Sequence, residues 1–301
     1  EDRRTGVIKT ESNLDMNKKY IVYIDEYQEK VVTLGNVMGS DGFKELYHYD
    51  GELGAIYSKE KTTFKVWAPT AEKVSLKLYK EGIGGEPLEV ISMTKGEKGV
   101  WSAVKDGDIA GTFYTYEVTV AGETRETQDV YSKAVGVNGD RSMVVDLSAT
   151  NPEGWETDKG PRVKNQTDAI IYEVHIRDIS MDPNSGIQLK GTYKGFVEPG
   201  TKSAEGEATG IDHLKEMGVT HVHILPMYDF ATVDETRMKD ENYNKFNWGY
   251  DPKNYQVPEG SYSTDPYSGT LRIEEMKEMI KALHDAGIGV IMDSVYNHTY
   301  S

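Results

Sequence analysis

The chain has 301 residues, which favours about two domains, and its 37% hydrophobic and 28% charged residues indicate a globular protein with a core. Its 34 basic and 50 acidic residues give a net charge of −16. This charge argues against nucleic-acid and anionic membrane partners, which Lys and Arg would have to bind, and favours a neutral substrate. The absence of cysteine excludes disulfides, thiolate nucleophiles and Cys-bound zinc. No apolar run is long enough for a membrane-spanning helix, and the opening residues lack the apolar stretch of a signal peptide.

Residues 1–46 are predicted to form a β-rich lead-in segment. Short strands are expected at 19–25 (KYIVYID) and 30–34 (KVVTL), separated by charged turns. Gly35, Gly39 and Gly42 then interrupt the pattern.

Residues 47–150 show the two-residue period of strands with one buried face. In 62–69 (TTFKVWAP), Phe64 and Val66 alternate with Lys65 and Trp67. Similar alternation in 73–80 (KVSLKLYK) and 112–120 (TFYTYEVTV), with glycine-rich turns between them, predicts a β-sandwich. The polar residues 151–167, which contain Pro and Gly, are predicted to be a linker.

From residue 168 to 301 the pattern changes to alternating strands and helices. Strands are predicted at 169–176, 219–225 and 288–293, with helices at 209–217 and 271–286. This order indicates a parallel sheet with right-handed crossovers. A (β/α)8 barrel needs typically about 250 residues, so we expect these residues to be the first part of a longer barrel.

Ligands of such sheets bind at the carboxyl ends of the strands, where two stretches stand out. The first is the long connection 227–270, rich in Tyr, Phe and Trp, which suits a packed Ω-loop and a ligand wall equally well. The second holds Asp293, Asn297 and His298 after the last strand. These side chains could hold sugar hydroxyls or a metal, or they could simply terminate the strand with hydrogen bonds.

Two motifs in these stretches resemble a known family. Residues 246–252 (FNWGYDP) closely resemble the YNWGYDP signature of type I pullulanases, debranching enzymes of the α-amylase superfamily of glycoside hydrolases. Residues 292–298 (MDSVYNH) resemble the first common region of that superfamily, DVVYNH. Supporting stretches are IIYEVHIRDIS, GTYKGF and GVTHVHILPMYDF. Phe246 and Ser294 depart from the usual Tyr and Val.

The resemblance implies a multidomain fold that is all-β plus α/β. A β-sandwich starch-associated module, similar to carbohydrate-binding modules, would precede the first three βα units of a (β/α)8 TIM barrel. The implied activity is retaining hydrolysis of α-1,6-glucosidic branches in pullulan, amylopectin and branched maltooligosaccharides.

In the family, the nucleophile, the acid/base and a third Asp follow later strands of the barrel. The resemblance therefore places all three beyond Ser301, the last residue of the sequence. We expect no catalytic carboxylate in this chain, no activity of the chain alone, and a complementary C-terminal fragment of the same enzyme as its partner.

The resemblance also implies substrate-positioning roles for six residues. Tyr250 would stack on the glucose at the cleavage site, and His298 would donate to the 6-hydroxyl of that glucose. Asp251 would fix the local geometry. Asp293 and Asn297 would orient their neighbours, and Trp248 would line the cleft or merely pack.

Trp67, Tyr79 and Trp101 are predicted on the exposed face of the sandwich, although such modules often only dock on the barrel.

No metal ligand is assigned and no cofactor is required. The chain has no clustered Asp/Asn loop of the calcium-binding type, and whether it binds a structural calcium ion stays an open question. The alternatives are another superfamily enzyme, such as a glycogen-debranching or branching enzyme, and a non-catalytic α-glucan-binding protein.

Overall fold

The computed structural model describes residues 8–11 and 14–300. Two predictions touch residues outside these ranges. The first residues of the predicted lead-in, 1–7 and 12–13, lie outside the described residues, and so does Ser301, the residue beyond which the catalytic carboxylates are expected. The placement of those carboxylates therefore stays a prediction.

The N-terminal segment contains the hairpin strands β1 (Ile21–Val22) and β2 (Lys30–Val31), followed by helix α1 (Asp41–Tyr47). The predicted strands are thus shorter than expected. The helix was not predicted; it begins where the Ser40 hydroxyl accepts a hydrogen bond from the Phe43 amide at 3.2 Å, an N-cap.

The next part is a sandwich of two antiparallel sheets. Its strands are β3 (Gly54–Tyr57), β4 (Lys61–Trp67), β5 (Lys73–Tyr79), β6 (Glu89–Ser92), β7 (Thr94–Lys95), β8 (Val100–Asp106), β9 (Phe113–Val120), β10 (Glu123–Thr127) and β11 (Ser142–Met143). One sheet has the order β3-β4-β8-β7 and the other β10-β9-β5-β6, with β11 added to β9. Phe64, Leu76 and Tyr114 are buried between the sheets. The predicted β-sandwich is confirmed.

Two of the three aromatic residues predicted on the exposed face of the sandwich are buried. Trp101 lies in the core, and the Tyr79 ring is covered by the Arg141 guanidinium, 3.5 Å from the ring centre. Trp67 is partly exposed, but its indole N–H donates to the carbonyls of Tyr47 and Lys98 at 2.9 and 3.1 Å. The prediction that Tyr79 and Trp101 are exposed was therefore wrong: Arg141 reaches over Tyr79 from a distant loop, and Trp101 faces the core.

The third part carries a parallel three-stranded sheet with helices on it. Its elements are β12 (Ile171–Val174), α2 (Asp178–Met181), α3 (Tyr193–Phe196), α4 (Gly210–Glu216), β13 (His221–Ile224), β14 (Tyr228–Phe230), β15 (Pro252–Pro258), α5 (Leu271–Asp285) and β16 (Gly289–Met292). The parallel order is β12-β13-β16. Leu214, Met279 and Leu283 are buried in the same core as Val222 and Ile224 of the central strand β13. The predicted strand–helix order is confirmed.

The long connection between β13 and α5 contains an antiparallel pair, β14 with β15, and the residues between these two strands are mostly turns and irregular chain. Tyr228 and Tyr262 in this connection are buried, whereas Trp248, Tyr250 and Tyr267 are exposed. The connection therefore packs on the barrel through some of its aromatic rings and exposes others.

Across the described residues, no helix combines the length and the apolar character that a membrane crossing needs.

The sandwich and the barrel portion share a polar interface built around α5. The Lys277 ammonium donates to Leu147 O, Thr150 Oγ1 and Asn151 Oδ1 at 2.6–3.0 Å. Near the C-terminal end of the helix, His284 Nδ1 lies 2.6 Å from the Asp158 carboxylate. Residues of the predicted linker are thus bonded to α5 and form part of the interface.

The Arg272 guanidinium is completely buried at the first turn of α5. It donates to Asp229 Oδ1 at 3.2 Å and to Glu235 Oε2 at 2.8 Å. It also reaches Pro266 O at 3.0 Å and, across the interface, Gly136 O at 3.5 Å. A buried charge is tolerated only when it is paired and hydrogen-bonded, so these contacts belong together.

We predict that Arg272→Met in the full-length protein lowers the free energy of unfolding by about 3–5 kcal/mol, because two buried carboxylates lose their counter-charge. Urea unfolding measures this change. Lys281→Met is the control, since Lys281 pairs with the exposed Asp285 one helical turn away and should cost about 0.5 kcal/mol or less. Equal effects of the two substitutions would contradict the prediction.

Candidate functional site

The candidate site lies at the carboxyl ends of the three parallel strands. Asp293 follows β16, and its amide donates to Ile224 O at the end of β13, at 3.0 Å. The hydroxyl of Tyr250, just before β15, donates to Asp293 Oδ2 at 2.5 Å. This hydrogen bond and partial burial raise the pKa of Tyr250 to about 12, because loss of the proton would place two anions side by side. The sequence motifs around Tyr250 and Asp293 therefore meet in space.

His298 joins the same cluster from the segment after Asp293. Its Nε2 lies 2.8 Å from Tyr250 O, and its Nδ1 lies 2.9 Å from Asn297 Oδ1. A neutral imidazole carries one N–H, so these contacts require either an imidazolium or an Asn297 amide turned to offer its NH2 group. Donation by His298 to a sugar hydroxyl therefore requires exchange of one of these two bonds.

Tyr255 and Tyr300 fold the end of the described chain back onto β15. The Tyr255 hydroxyl donates to His298 O at 2.6 Å, and the Tyr300 amide donates to Pro252 O at 2.9 Å. The Tyr296 ring stacks on Tyr255, with ring centres 5.3 Å apart. Sequence reasoning did not assign Tyr255, which lies in a strand with no motif of its own.

Asp251 points away from this cluster. Its Oδ2 accepts a hydrogen bond from the Thr232 amide at 2.8 Å, and its carbonyl accepts one from Ala231 at 3.1 Å. Trp248 presents its indole to solvent, with 59% of the residue exposed, and its ring meets Phe246 edge-on at 5.2 Å. Of the six predicted site residues, the structure brings Tyr250, Asp293, Asn297 and His298 together. Their roles toward a substrate stay predictions.

Sequence reasoning also missed His175, the residue directly after β12. His175 is only 6% exposed, and its Nε2 lies 2.8 Å from Asn247 O inside the FNWGYDP motif. The signal that could have identified it is its position at the carboxyl end of the first parallel strand, the same edge that carries Asp293.

A second cluster of carboxylates is buried away from solvent. Oxygen atoms of Asp229, Glu235 and Glu259 lie within 4.8 Å of one another, a spacing that could suit a cation. The Arg272 guanidinium binds Asp229 and Glu235, so a positive charge is already present there. Burial raises the pKa of Asp229 to about 7, outweighing the opposing effect of Arg272, and burial together with Glu235 raises the pKa of Glu259 well above its usual range.

Two family models match parts of the chain. Residues 52–132 match the model of carbohydrate-binding module 48, described as the isoamylase N-terminal domain, and residues 193–301 match the alpha amylase catalytic domain. The fold is therefore a β-sandwich module of this type followed by the start of an α-amylase catalytic domain, as the resemblance implied.

Individual relatives are pullulanases. The chain is 40% identical to the pullulanase of Bacillus subtilis over 267 residues, which is 89% of this chain and 36% of that protein. The solved pullulanase from Bacillus acidopullulyticus matches with a TM-score of 0.89 and 40% identity over 100% of this chain and 38% of that chain. A pullulanase from Paenibacillus barengoltzii, solved in complex with maltohexaose and alpha-cyclodextrin, matches with a TM-score of 0.84 and 48% identity over 87% of this chain and 40% of that chain. The chain thus spans less than half the length of these relatives.

We predict that Asp293→Asn lowers the pKa of Tyr250 from about 12 toward its ordinary value of about 10, because the hydroxyl then faces a neutral amide. Titration of phenolate absorbance, as the difference between proteins with and without Tyr250→Phe, isolates this group. Tyr267→Phe, at another exposed tyrosine, is the control for the removal of one phenol. An unchanged Tyr250 midpoint would show that the carboxylate does not hold the hydroxyl.

Proposed function

Because the chain is homologous to pullulanases over most of its length, we propose that it is the N-terminal portion of a pullulanase-type glycoside hydrolase. The whole enzyme hydrolyses α-1,6-glucosidic branches of pullulan, amylopectin and branched maltooligosaccharides with retention. The observation that carries this proposal is the meeting of the FNWGYDP motif with Asp293 and His298 through the Tyr250 hydroxyl and carbonyl.

The exposed surface of this site suits a neutral sugar. Tyr250 and Trp248 are 39% and 59% exposed, and aromatic faces with a polar edge pack well against pyranose rings. Asp293, Asn297 and His298 offer hydrogen-bonding groups beside Tyr250. In the proposal these groups hold the glucose at the cleavage site, and His298 donates to its 6-hydroxyl as the ring distorts toward an oxocarbenium ion.

The buried carboxylate cluster does not offer a catalytic pair. A retaining mechanism needs a nucleophile and an acid/base about 5 to 5.5 Å apart and open to the substrate. Asp229, Glu235 and Glu259 lie close enough to one another, but each is at most 2% exposed. The proposal therefore takes the catalytic carboxylates from a complementary C-terminal segment of the enzyme, beyond Ser301, and this chain supplies substrate positioning.

The His298 role is tested in the full-length enzyme with pullulan as substrate. His298→Ala should lower kcat more than it raises KM. The expected loss of transition-state stabilisation is about 2–4 kcal/mol, because the donated hydrogen bond strengthens as the glucose ring distorts. The control is His48→Ala, an exposed histidine paired with Asp50 in the N-terminal segment, which should leave both constants unchanged. If pullulan is not cleaved by the unmodified enzyme, the proposed function is wrong; if kcat of His298→Ala is unchanged, only the His298 role is wrong.

The exposure of apolar residues on the two edge strands of the sheet supports the proposed complementary segment. Ile171 on one edge strand is 56% exposed, and Ile291 and Met292 on the other are 36% and 41% exposed, whereas parallel sheets are normally covered. We expect residues 168–301 produced alone to be insoluble or molten, residues 47–150 to fold, and co-expression with the complementary segment to give soluble protein. Cooperative melting of 168–301 alone, in a monodisperse preparation, would refute the need for the segment.

A further inference from the structure

His175 lies at a junction between the barrel and the FNWGYDP motif. Its imidazole stacks on the Phe246 ring, with centres 5.5 Å apart and planes at 26°. The Tyr262 ring meets the imidazole edge-on, at 5.8 Å and 90°. Stacked and edge-on arrangements at these distances are favourable, and the nearly complete burial of His175 leaves its ring little freedom to move.

The hydrogen bonds of the imidazole fix its tautomer. Nδ1 faces the backbone amides of Arg177 and Asp178 at 3.2 and 3.4 Å, and amides can only donate, so Nδ1 is the acceptor. Nε2 therefore carries the proton and donates it to Asn247 O at 2.8 Å. The Tyr262 hydroxyl oxygen lies 3.2 Å from the same nitrogen. One ring thus links the turn after β12 to the backbone of the motif.

The residues that follow Asn247 depend on this anchor. The Asn247 side chain donates to Thr232 Oγ1 at 2.7 Å and accepts from the Gly249 amide at 2.7 Å, so it shapes the turn between Trp248 and Tyr250. Phe246, held on His175, supports the Trp248 indole edge-on at 5.2 Å. Movement of the Asn247 backbone would therefore displace both exposed aromatic side chains.

We infer that His175 is a positioning residue of the substrate site: through the Asn247 carbonyl and the Phe246 ring, it holds Trp248 and Tyr250 in the orientation that receives an α-glucan. His175 does not touch the sugar, because it is buried behind the motif. The inference rests on the proposed function for the identity of the ligand, but the anchoring itself is a property of the fold.

The experiment uses the full-length enzyme and two substitutions that separate the two ring nitrogens. In His175→Asn the amide oxygen can replace Nδ1 as acceptor for Arg177 and Asp178, but the donor to Asn247 is lost. In His175→Gln the longer side chain can place its NH2 group near Asn247 O. We expect His175→Asn to lower kcat/KM for pullulan roughly 10- to 100-fold, the scale of loss for a misplaced substrate contact, and His175→Gln to recover most of it.

A matched control and a second measurement distinguish positioning from general destabilisation. His284→Asn removes another hydrogen-bonded, largely buried histidine, at the interface with Asp158, and should leave kcat/KM unchanged. Hydrogen exchange should rise in residues 244–251 of His175→Asn but not in strand β16, and should return toward normal in His175→Gln. Equal losses in the Asn and Gln variants, or unchanged exchange in 244–251, would overturn the inference. Exchange needs no turnover, so it decides the anchoring even if pullulan proves not to be the substrate.

Discussion

The buried charge of Arg272 is the constraint on which the arrangement of the other parts depends. Taking a guanidinium out of water costs several kcal/mol unless carboxylates and carbonyls surround it. Here Asp229 comes from β14, Glu235 from the turn after it, and Gly136 O from the sandwich. The three partners must therefore assemble around α5 together, and the two domains acquire a defined relative position.

The hydrogen-bond network around Arg272 extends from the interior toward the candidate site. Asp229 Oδ2 accepts a hydrogen bond from Asn254 Nδ2 at 2.7 Å, and the same amide donates to Gly139 O of the sandwich at 3.0 Å. Asn254 lies in β15, four residues after Tyr250. Asp229 and the sandwich thus hold β15, the strand that follows the motif, and His175 holds Asn247, three residues before Tyr250. Tyr250 lies between two anchored points, with its ring partly exposed.

This arrangement assigns the sandwich a structural contribution to the site. Its loop at 136–140 bonds to the motif-bearing connection: Asn138 and Glu235 exchange two hydrogen bonds at 2.7 and 2.8 Å, and Lys253 donates to Asn138 O at 2.6 Å. In contrast, two of the three aromatic residues predicted for its surface are buried. The described contacts of this module therefore favour a docking role over glucan binding through exposed aromatic residues.

The sequence by itself determined the features that depend on neighbouring residues. Alternation predicted the buried face of β4 at Phe64 and Val66, the helical period predicted α5, and the motifs predicted that Tyr250, Asp293 and His298 share one site. The reason is that the period of burial is a local property of each element, and strand ends of a parallel sheet share one edge.

Only the tertiary structure decided what depends on partners far along the chain. Glu275 suits the start of α5 as a charge near the helix dipole, yet it is buried. Its carboxylate there accepts a hydrogen bond from the Thr264 amide at 2.8 Å, which compensates for the loss of water. Arg272 lies in the same charged turn, and nothing local distinguishes it from a solvated arginine. Its partners range from Gly136 to Pro266, and the partner of His175 at Asn247 lies 72 residues away. Pairing of buried polar groups is selected by the whole fold, so periodicity and local propensity do not predict it.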